Sequence, residues 1–140
     1  MLSDLAYSKR LNVPLAIIDK RRPRPNASEV MNLIGDVKGK DAILIDDMVD
    51  TAGTLCASAT ALKERGAHKV VAYAVHPILS GPALTRIQES ALEEIVFADT
   101  VALSKAAQDC KKIRVLSVDR LFGEAIARIH RADSLSSLFV

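Results

Sequence analysis

A chain of 140 residues makes one ordinary domain, and 49% hydrophobic with only 4% aromatic residues it suits an aliphatic α/β core better than a small β-barrel. A net charge of +2 gives no general reason to expect a nucleic acid; Cys56 and Cys110 have no metal-ligand spacing and imply no disulfide framework, which fits a reducing cytosol. No apolar run is long enough to span a bilayer, and the start of the chain lacks the apolar stretch of a signal peptide.

Leu2, Leu5, Ala6 and residues 9–11 fit a short amphipathic helix, capped by Ser3 or Asp4 and stopped by Asn12-Val13-Pro14. Residues 15–19 read as a short apolar strand. Residues 20–26 carry Lys20, Arg21, Arg22 and Arg24 with two prolines, cannot form a core, and are expected as a mobile loop. Residues 29–35 fit a strand or an irregular connector equally well, and 37–40 are a turn. The unbroken apolar run 42–45, leading into Asp46, predicts a buried parallel strand over 42–46 at the centre of the sheet. A helix over 55–65 follows, with Gly66 as its stop. Next come a strand at 69–75 and a helix at 80–89, with Ser80 as its cap and Pro82 in its first turn. A strand at 95–98, a loop over 102–109 with a helical turn, and a strand at 113–118 continue the alternation. The last helix spans 120–130, capped by Asp119 and carrying Leu121, Phe122, Ala125, Ile126 and Ile129.

Strands alternating with helices predict an α/β fold with a mainly parallel central sheet flanked by helices. In such sheets ligands bind at the carboxyl ends of the strands. Asp46 is expected at such an end, and so is Asp19, which leads into the cationic loop; both motifs would then face one site.

The richest stretch is Ala42-Ile43-Leu44-Ile45-Asp46-Asp47-Met48-Val49-Asp50-Thr51-Ala52-Gly53-Thr54. A strand runs into three carboxylates and then into a small-residue turn that opens a helix. The helix start offers unpaired N–H groups and the positive end of the dipole. Gly53 lets the backbone approach an anion, and Thr51 and Thr54 add hydroxyls, so the turn reads as a phosphate cradle. The carboxylates would repel a phosphate; they suit sugar hydroxyls, or a divalent metal bound to the ligand. The plainer reading is a helix N-terminus with capping acids, but a cap needs one acid and three lie within five positions. Among the histidines, His76 reads as a helper at the site or as a hydrogen-bonded turn residue. His68 and His130 read as surface residues.

The segment from Asp46 to Thr54 resembles the phosphoribosyl-pyrophosphate motif of type I phosphoribosyltransferase-fold proteins. Asp19-Lys20-Arg21-Arg22-Pro23-Arg24-Pro25-Asn26 resembles the flexible catalytic loop of the ribose-phosphate pyrophosphokinase family. Glu29-Val30-Met31-Asn32, His76-Pro77, Ser80-Gly81-Pro82-Ala83 and Ser134-Leu135-Ser136-Ser137-Leu138-Phe139 extend the likeness over nearly the whole chain. It covers only the C-terminal half of that family, without the half that supplies the adenine site.

The resemblance implies one domain over 1–140 with a type I phosphoribosyltransferase-like fold, incomplete at its N-terminal edge. It implies pyrophosphoryl transfer from ATP to the anomeric hydroxyl of ribose 5-phosphate, giving 5-phosphoribosyl 1-pyrophosphate and AMP for nucleotide biosynthesis. Lys20 and Arg22 would be catalytic, with Arg21 and Arg24 weaker candidates. Thr51, Ala52, Gly53 and Thr54 would take the 5-phosphate. Asp46 and Asp47 would meet the ring hydroxyls directly or through Mg²⁺, and Asp50 would steer the anomeric hydroxyl. Ser134, Ser136 and Phe139 would belong to an allosteric site. The implied cofactor is Mg²⁺, with ATP as co-substrate. The implied setting is a cytoplasmic, dimer-based hexamer at full length, with no nucleic acid or membrane partner. This chain alone is expected to bind the sugar phosphate without making the product. The alternatives are a phosphoribosyltransferase that uses a nucleobase and a non-catalytic, synthetase-associated regulator.

Overall fold

The computed structural model describes residues 8–21 and 30–139, with the backbone alone at 19–21 and 30–32. A helical turn at 8–11 stops at Asn12, which takes a left-handed φ of 51° while Val13 N–H donates to the Ser8 carbonyl at 3.1 Å. Asn tolerates that conformation better than most residues, so the expected stop is real.

Two sheets follow. Strands β1 (Ile17–Arg21) and β2 (Val30–Ile34) pair antiparallel, with Lys20 opposite Met31. The second sheet is parallel, in the order β3 (Asp41–Val49), β4 (Lys69–Pro77), β5 (Glu94–Ala98), β6 (Ile113–Leu116). The crossovers carry α1 (Gly53–Glu64), α2 (Ala83–Glu89) and α3 (Lys105–Gln108), and α4 (Asp119–His130) follows β6. This is the expected mainly parallel α/β sheet.

Each strand of the parallel sheet pairs with its predecessor. Crossovers of one hand between such neighbours all fall on one face. The core lies there, among Ala72 and Ala74 of β4, Ile95 and Phe97 of β5, Leu55, Ala59 and Leu62 of α1 and Ala83 and Ile87 of α2. Ile18 and Leu33 of the hairpin pack against it. On the opposite face Ile43, Ile45, Tyr73, Val75 and Leu116 stay exposed.

Several expectations are corrected. The strand expected at 42–46 runs on to Val49, and it has one neighbour in the sheet, so among the described residues it is an edge strand rather than the central one. Within the segment at 29–35, residues 30–34 form a strand. β1 does not join the parallel sheet, so Asp19 does not stand at the carboxyl end of one of its strands. The link from Arg21 to Val30 is too short for a parallel crossover, which takes a dozen residues or more, and a hairpin results. Lys20 therefore lies within β1 rather than in the loop, and Arg22 and Arg24 lie outside the described residues.

Candidate sugar-phosphate site

The site grows from the end of β3. Along this strand side chains alternate between faces, which puts Asp46 half-buried on the core side and Asp47 exposed on the other. Beyond Val49 the chain leaves the sheet through Asp50 and Thr51, and Ala52 turns it with φ 58° and ψ 6°. That left-handed conformation costs an L-residue about 1–2 kcal/mol. It is held here in a residue only 5% exposed. Strain of this kind concentrates at functional turns. α1 starts at once with Gly53, two residues earlier than expected.

The N-terminus of α1 carries no side-chain cap, and its first turn contains no acidic residue. The capping reading of Asp50 thus fails on geometry. The Asp50 carboxylate instead accepts the Ser80 hydroxyl, and its carbonyl accepts the Ser80 N–H at 3.0 Å. Ser80, expected as the cap of a helix, is the partner of Asp50; that helix begins only at Ala83. The leading N–H groups of a helix lack intrahelical partners, and the dipole adds partial positive charge there. An open, acid-free start to a 12-residue helix is a favourable place for an anion.

Asp46, Met48, Val49, Asp50, Thr51, Ala52, Gly53, Thr54 and Leu55 enclose a hollow of about 270 Å³. It lies just under the ~300–1,000 Å³ of drug-sized sites, which suits a small polar ligand. The structure therefore brings together six of the seven residues singled out for the sugar phosphate: Asp46, Asp50, Thr51, Ala52, Gly53 and Thr54. Asp47 does not line the hollow. Its N–H donates to Asp46 Oδ1 at 2.9 Å, so it holds its neighbour in place from behind.

Asp46 is the electrostatic centre of the site. Burial pushes its carboxyl above the ordinary Asp value of 3.8; the Asp47 N–H opposes this, while the Asp47 side chain adds to it. A carboxylate short of water, beside a second carboxylate, gains from a cation or from hydroxyl donors. Among the described residues no group of three or more His, Cys, Asp or Glu side chains could hold a metal ion. The donor set fits Mg²⁺ carried by a phosphorylated ligand better than a resident metal, because Mg²⁺ usually binds one or two carboxylates plus substrate phosphates.

Other groups gather at this end of the sheet. His76 pairs with Met48 across β4 and β3. Its Nδ1 lies 2.9 Å from Thr100 Oγ1, which itself donates to the Val75 carbonyl at 2.9 Å. A hydroxyl has one proton, so Thr100 accepts from Nδ1–H and Nε2 is left as the acceptor of the neutral ring. The hydrogen-bonded reading of His76 is the one the geometry favours. At the opposite end of the sheet, His68 is an exposed residue bonded to Asp41 at 2.7 Å. Arg86 of α2 donates to the Thr51 carbonyl at 2.9 Å. No sequence signal pointed to Arg86 or Thr100, since both reach the site only through tertiary contact.

A 3-10 turn over Ser136–Phe139 is tied to α4 by Arg128, whose guanidinium donates to the Ser134 carbonyl at 3.1 Å and to the Ser137 hydroxyl. The Ser134 and Ser136 hydroxyls are 2.7 Å apart, and Phe139 is 73% exposed.

Fold and site together define an α/β protein of the type I phosphoribosyltransferase kind, with an uncapped helix start after an acidic strand end. The phosphoribosyl synthetase-associated domain family matches residues 2–140, and the chain belongs to that family. It is 61% identical over 136 residues to a ribose-phosphate pyrophosphokinase of Xanthomonas axonopodis pv. citri, covering 96% of this chain and 43% of that relative. A ribose-phosphate pyrophosphokinase of Bordetella pertussis is 60% identical over 134 residues, with the same coverage. The crystal structure of phosphoribosylpyrophosphate synthetase from Mycobacterium smegmatis superposes with a TM-score of 0.81 at 34% identity, over 91% of this chain and 40% of that one. The chain thus spans less than half the length of the relatives it matches. No helix among the described residues is long and apolar enough to cross a membrane.

Proposed function

We propose that this chain is the sugar-phosphate-binding half of a ribose-phosphate pyrophosphokinase. The observation that carries the reading is the hollow in which the half-buried Asp46 faces the uncapped start of α1 across Asp50 and Thr51. A phosphate needs donors and positive potential; a ribose needs acceptors. The two stand side by side at a spacing set by one strand end and one turn.

In this reading Thr51, Ala52, Gly53 and Thr54 take the 5-phosphate through backbone N–H groups and hydroxyls. Asp46 accepts from the ring hydroxyls, and Asp50, held by Ser80, orients the anomeric hydroxyl. That hydroxyl attacks the β-phosphorus of ATP; the bond to the AMP oxygen breaks, and AMP leaves. Such transfer depends on alignment and on cations that meet the growing charge. Lys20, within β1, and Arg22, next but one in the sequence, are the cations proposed for that task; β2, the partner of β1, contacts α1. Asp46, backed by Asp47, would hold Mg²⁺ carried by the ligand, which would supply further charge neutralisation. ATP as co-substrate and a dimer-based hexamer in the cytoplasm complete the proposal for the full-length protein. Ser134, Ser136 and Phe139 form its regulatory site, with Arg128 as their anchor.

Two measurements test it. Ribose 5-phosphate titrated into the chain, with Mg²⁺ present, should shift the amide resonances of residues 51–54. Adding the complementary half of a relative should then release AMP from ATP. Binding without AMP release would favour the non-catalytic, synthetase-associated alternative, and pyrophosphate release with a nucleobase would favour a phosphoribosyltransferase.

A further inference from the structure

We infer that Arg86, on α2 and outside the hollow, is a positioning residue that sets the phosphate turn in its binding conformation. Its guanidinium Nη1 donates to the Thr51 carbonyl at 2.9 Å. Thr51 lines the hollow, whereas Arg86 does not, so Arg86 grips the turn from its back. The Thr51–Ala52 peptide is planar and trans, because no cis bond occurs among the described residues. A trans peptide points its C=O and its N–H in opposite directions. Drawing the Thr51 carbonyl toward Arg86 therefore aims the Ala52 N–H the other way, into the hollow. The same peptide leads into Ala52, whose left-handed φ of 58° an alanine does not adopt without help.

Gly53 supplies an independent sign that the turn is built around this guanidinium. A Cβ on Gly53 would stand 3.2 Å from Arg86 Nη1 and 3.8 Å from its Cζ. The absent side chain at 53 leaves the room in which the guanidinium sits. On either side of it the same segment secures the chain upstream. Leu79 N–H donates to the Val49 carbonyl at 3.0 Å, Ser80 N–H to the Asp50 carbonyl at 3.0 Å, and Arg86 to Thr51. Three successive carbonyls of the site are thus held by residues 79–86. Val49 and Asp50 are held by backbone donors that any side chain keeps. Only the Thr51 contact depends on a particular residue type.

This inference deepens the sugar-phosphate reading and rests on it for the identity of the anion, though not for the conformation of the turn. The test uses Arg86→Met and Arg86→Lys in the whole chain, observed by amide NMR with and without ribose 5-phosphate, well below the melting temperature of each variant. Without ligand, Arg86→Met should speed hydrogen exchange and raise the mobility of residues 51–53, while α1 beyond Leu55 keeps its protection. With ligand, it should weaken ribose 5-phosphate by about three- to tenfold, the effect of one hydrogen bond from a charged donor at an exposed site. Affinity for unphosphorylated ribose should not change. Arg86→Lys, which retains a cationic donor, should recover most of both signals; if Arg86→Met does not fold, Arg86→Gln, shorter and neutral, takes its place with the same expected losses. Residues 51–53 equally ordered in wild type and the uncharged variant would overturn the inference, as would equal ribose 5-phosphate affinity of those two. A wild-type chain that ignores ribose 5-phosphate would sink the sugar-phosphate reading instead; the ligand-free exchange rates would then decide the role of Arg86.

Discussion

Asp46 shows how one residue can oppose folding and serve binding. Burial raises its carboxyl above the ordinary value of 3.8, so the folded chain holds this proton more tightly than the unfolded chain. The sign follows directly. Below the unfolded value the group costs folding nothing; as pH rises through the folded value it ionises in a desolvated place, and stability falls. Ligand binding runs the other way, because only the ionised form attracts a cation or accepts two hydroxyls. Asp46→Asn should therefore raise the melting temperature at neutral pH, yet weaken Mg²⁺-dependent ribose 5-phosphate binding about tenfold or more. Thermal unfolding and calorimetric titration of the same samples would check both. In the wild type the affinity should begin to fall on acidification at a higher pH than an ordinary aspartate would produce.

At the scale of elements, the legible parts were those whose order is local. The apolar run before Asp46 announced a parallel strand, and Gly66, with a φ of 87°, ended α1 where glycine allows it. The order strand, acidic end, small-residue turn, helix could likewise be read, because neighbouring residues make the whole cradle. Tertiary choices were illegible. Whether Ser80 caps a helix or bonds Asp50 depends on the return of the chain after β4, since either use satisfies the hydroxyl. The position of β3 within the sheet also escaped, because an apolar run cannot reveal how many neighbours it has. The start of α4 was misread in the same way. Asp119 was expected as its cap but stands inside the helix as its first residue, where its carboxylate accepts the Arg120 N–H at 2.6 Å; Asp99, just past β5, accepts the Val118 N–H at 2.9 Å and the Ser117 hydroxyl at 2.5 Å. The Ser117 hydroxyl, and after it the Val118 N–H, hold the Asp99 carboxyl below 3.8. A depressed acid stabilises the fold above its unfolded value, and the gain is lost as pH falls through the folded one. Amide exchange at residues 117–121 should accordingly accelerate as pH drops below about 3.8, beyond the intrinsic pH trend. Asp99→Ala should give the faster exchange already at neutral pH, while the amides of α1 remain protected.

For the whole molecule the decisive fact is asymmetry. One face of the parallel sheet holds the core, and the other presents Ile43 at 50% exposure, Ile45 at 37%, Tyr73 at 39% and Val75 at 42%. These residues are not scattered: Ile43 pairs with Val71 and Ile45 with Tyr73 in adjacent strands, so they form one continuous patch. α4 adds a second apolar stripe, since Leu121, Phe122, Ile126 and Ile129 recur at helical spacing and none of its residues is buried. Monomeric soluble proteins rarely leave contiguous patches of this kind uncovered, and such patches mark interaction surfaces or aggregation sites. The chain on its own should therefore bind a dye such as anilinonaphthalene sulfonate in its folded state and self-associate with rising concentration. The double substitution Ile45→Lys with Tyr73→Lys places two charges on the open face. It should reduce dye binding and lower the association seen by sedimentation. Because neither residue reaches into the core, stability should change by only about 0.5 kcal/mol per site. Phe97→Ala, by contrast, removes a ring that is 1% exposed and should cost about 3–5 kcal/mol. A monomeric wild type that ignores the dye would show that the open face is no association surface, whatever the sugar-phosphate site at its edge is found to bind.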